Sequence, residues 1–342
     1  MKRFALVGAG FIGSAHARNL AAHPGIDLAV IHDVDEHRAT ALAAKFSTSA
    51  STDLADVFDS PDIDAVLIAS STNTHAEHLY RAAAAKKAVL CEKPIDLSID
   101  AARDAVRAIE AAGVPAMVDF NRRFDRDYAA LAACVSAGEI GDIELVQMTT
   151  PGPALPSLEY LAVSGGQMHD QTVHFFDLAC GITGDEPVEV FAMGAALADP
   201  RVQDIGDVDT PVVTLRFAGG ALCQVDSMRR IGYGYDERIE IVGSTGMVES
   251  GRQRRGSVSR YLGNTVVQDG LHDGWFERMR DSYAHSLDAF VSALETGCAP
   301  TPSLADGLRA QLIAEAATRS LREGNPVALN LTKALNPMKE FR

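Results

Sequence analysis

The chain has 342 residues, enough for two domains rather than one, and an ordinary apolar share from which to build their cores. Its 31 basic and 46 acidic residues give a net charge of −15. That argues against a generic nucleic-acid or anionic-membrane surface, since both need a basic face, but not against a nucleotide cofactor, whose phosphates are bound locally by backbone N–H groups.

From the start of the chain, residues 2–7 (KRFALV) form an apolar run that flows into GAGFIG at 8–13. The run is too short for a signal peptide and reads as a strand. Residues 14–23 have helical composition. A second strand follows at 27–32 with an acidic end, Asp33-Val34-Asp35, then an alanine-rich helix at 36–46. Strands are expected at 64–70, 88–91 and 114–120, with helices at 75–86 and 99–112. This alternation predicts a parallel, doubly wound sheet. Beyond residue 120 the pattern changes. Helices are expected at 125–137 and 169–180, strands at 143–150, 188–196, 211–217, 221–227, 237–242 and 247–249, and closing helices at 276–296 and 303–323. Residues 150–157 and 251–257 read as surface loops. The expected fold class is therefore α/β: a Rossmann domain over residues 1–120, then an α+β domain over 121–342 built on a large, mostly antiparallel open sheet. No apolar stretch is long enough to span a membrane. The five cysteines, Cys91, Cys134, Cys180, Cys223 and Cys298, are scattered and form no CxxC pair. They read as free thiols of a reducing cytoplasm, with neither a structural zinc nor a disulfide framework.

Gly8-x-Gly10-x-x-Gly13 lies between a strand and a helix. The first glycine permits the tight turn, the second lets a pyrophosphate approach the backbone, and the third lets helix pack on strand. Asp33 ends the second strand, 20 positions after Gly13. A carboxylate there accepts hydrogen bonds from the adenosine ribose and repels a 2′-phosphate, so NAD is expected rather than NADP. Lys93, in Cys91-Glu92-Lys93-Pro94, ends a strand of the parallel sheet, on the edge where such sheets bind ligands. An ammonium there can hydrogen-bond a reacting hydroxyl and stabilise developing alkoxide charge. A cis peptide is expected at Lys93–Pro94. Asp170 and His174 are four apart and share a helical face. The histidine suits removal of a hydroxyl proton as hydride leaves carbon, and the aspartate can steady the imidazolium. No third ligand accompanies them, so no metal is expected. Each motif alone has a plain structural explanation: a glycine turn, an exposed lysine, an acidic helix start. Their combination points to a dehydrogenase.

That combination resembles the glucose–fructose oxidoreductase / inositol dehydrogenase / rhizopine catabolism family over nearly the whole chain. The resemblance rests on GAGFIG, Ser70-Ser71-Thr72-Asn73-Thr74-His75, Glu92-Lys93-Pro94, Gly165-Gly166 with Asp170-x-x-x-His174, and Gly324-Asn325-Pro326-Val327. Within the family, Asn121-Arg122-Arg123-Phe124-Asp125, Ala137-Gly138-Glu139-Ile140-Gly141, Arg229-Arg230 and Tyr233-Gly234-Tyr235-Asp236 look like inositol 2-dehydrogenases. The resemblance implies a catalytic trio of Lys93, Asp170 and His174. It implies a cofactor pocket lined by Gly8, Gly10, Phe11, Ile12, Gly13, Asp33, Ser70, Thr72, Asn73, His75 and Glu92. It adds Arg123 and Tyr235 to the substrate side, and assembly into a homodimer or homotetramer. Two positions depart from the inositol enzymes: Pro151-Gly152-Pro153 stands where they carry Arg-Asp-Pro, and Phe175 stands where an aspartate often follows the histidine. The expected activity is NAD-dependent oxidation of a secondary hydroxyl of a cyclic polyol, myo-inositol to its 2-keto form. Another sugar or inositol isomer is the alternative substrate, and a non-catalytic dinucleotide sensor the alternative of a different class.

Overall fold

The computed structural model describes residues 1–335. In chain order the elements are β1 (Lys2–Val7), α1 (Phe11–Ala22), β2 (Ile26–His32), α2 (Glu36–Phe46), β3 (Ser49–Ser51), α3 (Ala55–Phe58), β4 (Ala65–Ile68), α4 (His75–Ala85), β5 (Ala88–Glu92), α5 (Ile99–Ala112) and β6 (Ala116–Asp119). They continue with α6 (Arg126–Ser136), β7 (Ile143–Thr149), α7 (Leu158–Leu161), α8 (Val173–Thr183), β8 (Pro187–Ala195), α9 (Arg201–Asp204), β9 (Thr210–Phe217), β10 (Leu222–Asp226), β11 (Arg238–Gly243) and β12 (Met247–Ser250). The last are β13 (Ser259–Leu262), β14 (Thr265–Gln268), α10 (Trp275–Thr296), α11 (Leu304–Glu323), β15 (Val327–Ala328) and α12 (Leu331–Leu335). Two compact units result: Met1–Asn121 with Ser282–Arg309, and Arg122–Asp281 with the described residues from Ala310 on. No described helix is long and apolar enough to cross a membrane.

The first unit is a six-stranded parallel sheet in the order β3-β2-β1-β4-β5-β6. Strands β4 and β5 are buried along their whole length, and both read as apolar runs, β5 up to Glu92 at its end. The order reverses between β1 and β4, the crevice where such sheets take dinucleotides. Local chemistry sets the helix ends. Asp35 caps α2 by accepting from the N–H groups of His37 and Arg38, Ser98 caps α5, and Gly113 ends α5 at φ +63°. The returning segment completes this core. Phe290 meets Phe4 edge-on at 6.2 Å, and Val118 N–H donates to the Pro302 carbonyl.

The second unit carries a seven-stranded sheet, β12-β11-β7-β10-β9-β8-β15, antiparallel except for the parallel β7–β10 pair. β9 alternates buried and exposed positions, so one sheet face is packed and the other is open. Nearly every residue of α8 is buried, and α8 packs beside α6 and β7. The hairpin β13–β14 lies beyond the expected strands, just after the 251–257 loop.

Candidate active site

The three glycines of the first loop are not equivalent. Gly8 sits at φ +106°, and a Cβ there would come 2.4 Å from the Ala69 carbonyl oxygen. A Cβ on Gly13 would come 1.9 Å from the Gly8 oxygen. Both are demanded by the fold. At Gly10 a Cβ meets no protein atom within 4 Å, so this glycine keeps its backbone approachable from outside. Phe11 and Ile12 form the first turn of α1 beside it. Asp33 is folded back onto the loop: Oδ2 accepts from Ala9 N–H at 2.7 Å and Oδ1 from Asp35 N–H at 2.9 Å. An open glycine at a helix N-terminus, with a carboxylate pinned beside it, fits a dinucleotide pyrophosphate and ribose.

After β4 the chain makes a tight turn through Ser70, Thr72 and Asn73. The Ser70 and Thr74 hydroxyls are hydrogen-bonded at 2.7 Å. His75 is buried. Its Nδ1 lies 2.9 Å from the Pro94 carbonyl oxygen and its Nε2 3.0 Å from that of Ser70. It braces the end of β4 against the turn after β5. That turn carries the expected cis peptide at Lys93–Pro94, and Lys93 itself is half-buried. Glu92 holds the turn from below, Oε2 accepting from Lys93 N–H at 3.2 Å.

The other oxygen of Glu92 lies 2.8 Å from His16 Nε2, which is also 3.5 Å from Asp119 Oδ2. Glu92 and Asp119 are register partners on β5 and β6, while His16 comes from α1. Ser286 donates to Asp119 Oδ1 at 2.7 Å, and the Tyr283 ring stands edge-on to His16. All three ionisable groups are buried. Their ligand-type atoms lie within 4.8 Å of one another, and the His16–Glu92 contact is at hydrogen-bond distance, so the three groups can share protons. Burial first, and then the Glu92 carboxylate, pushes Asp119 up to about 7. Burial lowers the His16 pKa, but hydrogen bonding and charge from Glu92, and charge from Asp119, raise it on balance. The sequence carries no motif that marks His16 and Asp119, because only the strand register brings Asp119 beside Glu92.

In the second unit Asp170 lies in a wide π-helical turn, Met168–Thr172, rather than in regular α-helix. His174 follows in the first turn of α8. Such turns are rare and concentrate at functional sites. Tyr160 donates to Asp170 Oδ1 at 2.8 Å, and Arg229 Nη1 to Oδ2 at 2.8 Å. Arg229 is 2% exposed and also faces Asp207 at 4.0 Å. Burial, and then the charge of Asp170, push the Tyr160 phenol up, so it stays a hydrogen-bond donor. A buried arginine and a phenol thus orient both carboxylate oxygens of Asp170.

Arg123 and Tyr235 are built into neighbouring pairs of this unit. Arg123 grips Asp177 with Nε–Oδ2 at 2.7 Å and Nη2–Oδ1 at 2.5 Å. The Tyr235 hydroxyl bonds Glu237, and Arg122 donates to it at 3.0 Å and to Glu237 at 2.8 Å. Phe175 is fully buried beneath the Arg122 guanidinium, 5.8 Å from its ring centre. Gly152 is tied by backbone bonds to Met228 and Ile231.

Comparison with known proteins bears on this arrangement. Residues 2–120 match the model of the oxidoreductase family with an NAD-binding Rossmann fold, and residues 128–249 that of the GFO/IDH/MocA C-terminal domain. The chain is 40% identical to a myo-inositol 2-dehydrogenase of Thermotoga maritima, over 96% of this chain and 98% of that one. Its fold is similar to that of a myo-inositol dehydrogenase of Corynebacterium glutamicum, with a TM-score of 0.92, 35% identity, and 96% and 99% of the two chains covered. It is also similar to a scyllo-inositol dehydrogenase of Lactobacillus casei solved with bound NAD(H) and scyllo-inositol, with a TM-score of 0.89, 25% identity, and 96% and 99% covered.

Proposed function

Because the chain belongs to the GFO/IDH/MocA family of NAD-dependent oxidoreductases, we propose that it oxidises one secondary hydroxyl of a cyclic polyol, with myo-inositol going to its 2-keto form. The observation that carries the substrate is the 40% identity to a myo-inositol 2-dehydrogenase over nearly the full length of both chains. NAD⁺, when bound, supplies the hydride acceptor. The chain's own residues do the rest. Gly10 and the start of α1 take the pyrophosphate, and Asp33 takes the ribose hydroxyls. The turn residues Ser70, Thr72 and Asn73 line the cofactor side, with His75 and Glu92 fixing the turns around them. His174 accepts the hydroxyl proton, Asp170 steadies the imidazolium, and Lys93 hydrogen-bonds the oxygen on which negative charge develops. Arg123 and Tyr235 set the substrate side through the pairs they form with Asp177 and with Arg122 and Glu237.

The chain acts as a homo-oligomer, a dimer or tetramer, through the open face of the seven-stranded sheet, where Met193, Val212 and Leu222 are exposed. Its free cysteines suit a cytoplasmic enzyme. The test is absorbance at the NADH band with a panel of inositols and sugars, on the unaltered chain and on Lys93→Ala. Turnover of an inositol above all other candidates, and its loss by about a thousandfold in the variant with NAD⁺ binding retained, is the expected result. Near-normal turnover in the variant would sink the role of Lys93. An aldose turned over in preference to every inositol would sink the substrate.

A further inference from the structure

His16, Glu92 and Asp119 form a sealed ionisable cluster inside the first unit that hydride transfer does not use directly. As register partners on parallel strands, Glu92 and Asp119 carry their carboxyl groups to the same side of the sheet, and like charges so placed repel. His16 stands between them. With an imidazolium and two carboxylates the cluster carries one net negative charge; one more proton makes it neutral.

From β5, burial and then the two carboxylates push the Cys91 thiol well up, so it stays neutral. From α10, Ser286 donates a hydroxyl hydrogen bond and Tyr283 offers a ring edge. Lys93, next along the chain, meets Glu92 through its backbone N–H. Burial and the mutual repulsion of the two carboxylates therefore bring the cluster's shared protonation change up toward neutral pH. All three residues stand at the ligand-binding end of the sheet. His16 is on the helix that Gly10 opens, and the two acids are at or next to the carboxyl ends of β5 and β6. The oxidised nicotinamide ring carries a positive charge that reduction removes.

Resting on the reading that this unit binds NAD, we propose that the His16–Glu92–Asp119 cluster is a proton-linked selector between the two redox states of the dinucleotide, its anionic form favouring NAD⁺ and its neutral form NADH. By linkage, NAD⁺ binding drives a proton off the cluster, and exchange for NADH brings one back. A charge buried at that end of the sheet is weakly screened, so a single charge suffices.

The experiment is to measure the dissociation constants of NAD⁺ and NADH on the intact chain from about pH 5.5 to about pH 8.5, with and without Asp119→Asn. In the unaltered chain the ratio Kd(NAD⁺)/Kd(NADH) is expected to fall by about tenfold as pH rises, the equivalent of about one pKa unit of coupling. In D119N, which keeps the shape and the Ser286 partner but not the charge, the ratio should change by less than about twofold over the same range. A pH-independent ratio in the unaltered chain, or an undiminished dependence in D119N, overturns the proposal. Should D119N not fold, calorimetry of the unaltered chain in two buffers of different ionisation enthalpy decides alone: protons released with NAD⁺ and not with NADH support it, and equal counts overturn it. Failure to bind either dinucleotide would remove the cofactor reading beneath it, an outcome distinct from binding without proton linkage.

Discussion

A single motif can hold residues with opposite reasons for being there. Gly8 and Gly13 have no room for a methyl group, whereas Gly10 has no protein atom in the way of one. Gly13→Ala should therefore cost stability, about 2–4 kcal/mol by urea unfolding, since backbone must shift to admit the carbon. Gly10→Ala should unfold like the parent yet bind NAD⁺ at least about tenfold more weakly, because its methyl group intrudes only where the pyrophosphate comes close. Equal losses of stability from the two substitutions would refute the division. The spacing in the sequence identifies all three glycines and Asp33 together but cannot rank them, because rank depends on Ala69 and on the path of the turn. His75 shows the same limit. Its segment marks it as a pocket residue, while its two backbone carbonyl partners come from Ser70 and Pro94 and can be read only in three dimensions.

At the scale of the element, the π-helical turn at Met168–Thr172 depends on support from outside itself. Asp170 is held by Tyr160, which follows the short α7 cap of Ser157, and by Arg229 from the loop after β10. Replacing Arg229 with Met would strand a carboxylate beside a second one, Asp207, and is expected to cost about 3 kcal/mol in urea unfolding. Tyr160→Phe, which removes one hydrogen bond to a charged group, should cost about 1–2 kcal/mol. Losses below half these values in both variants would show that Asp170 does not rely on them. The four-residue spacing of Asp170 and His174 is plain in the sequence. The π geometry is not, since an extra residue in a turn leaves the apolar pattern of the following helix unchanged. Tyr160 carries no motif at all. The β13–β14 hairpin is equally hard to read, because its strands are mostly exposed and show no buried alternation.

For the molecule as a whole, the parallel sheet is legible because strands buried on both faces must be apolar throughout. The open sheet is legible because strands buried on one face must alternate. The open face leaves apolar side chains in water, and the proposed homo-oligomer would cover them. Met193 and Val212 are register partners there, with Met193 64% exposed. Substituting Glu at both should convert the assembly to monomers in size-exclusion chromatography with light scattering, with the first unit's NAD⁺ affinity unchanged. An unaltered elution volume would place the interface elsewhere. The division of the chain is the part that patterning cannot reveal. A cut at residue 120 follows the change from parallel to antiparallel signals, while residues 282–309, the end of α10, the start of α11 and the link between them, group with the first unit, and nothing in a helix's own period names the sheet it will pack on.

The return of residues 282–309 also sets a timetable for synthesis. The dinucleotide unit leaves the ribosome ahead of the second unit's sheet, but Phe4 and the edge of β6 must wait for Phe290 and Pro302, some 170 residues after β6 has emerged. During that interval the nascent chain exposes an unfinished apolar sheet while the whole of the second unit's sheet except β15 is being made. The order in which the ribosome delivers this protein is thus not the order in which its parts can be finished.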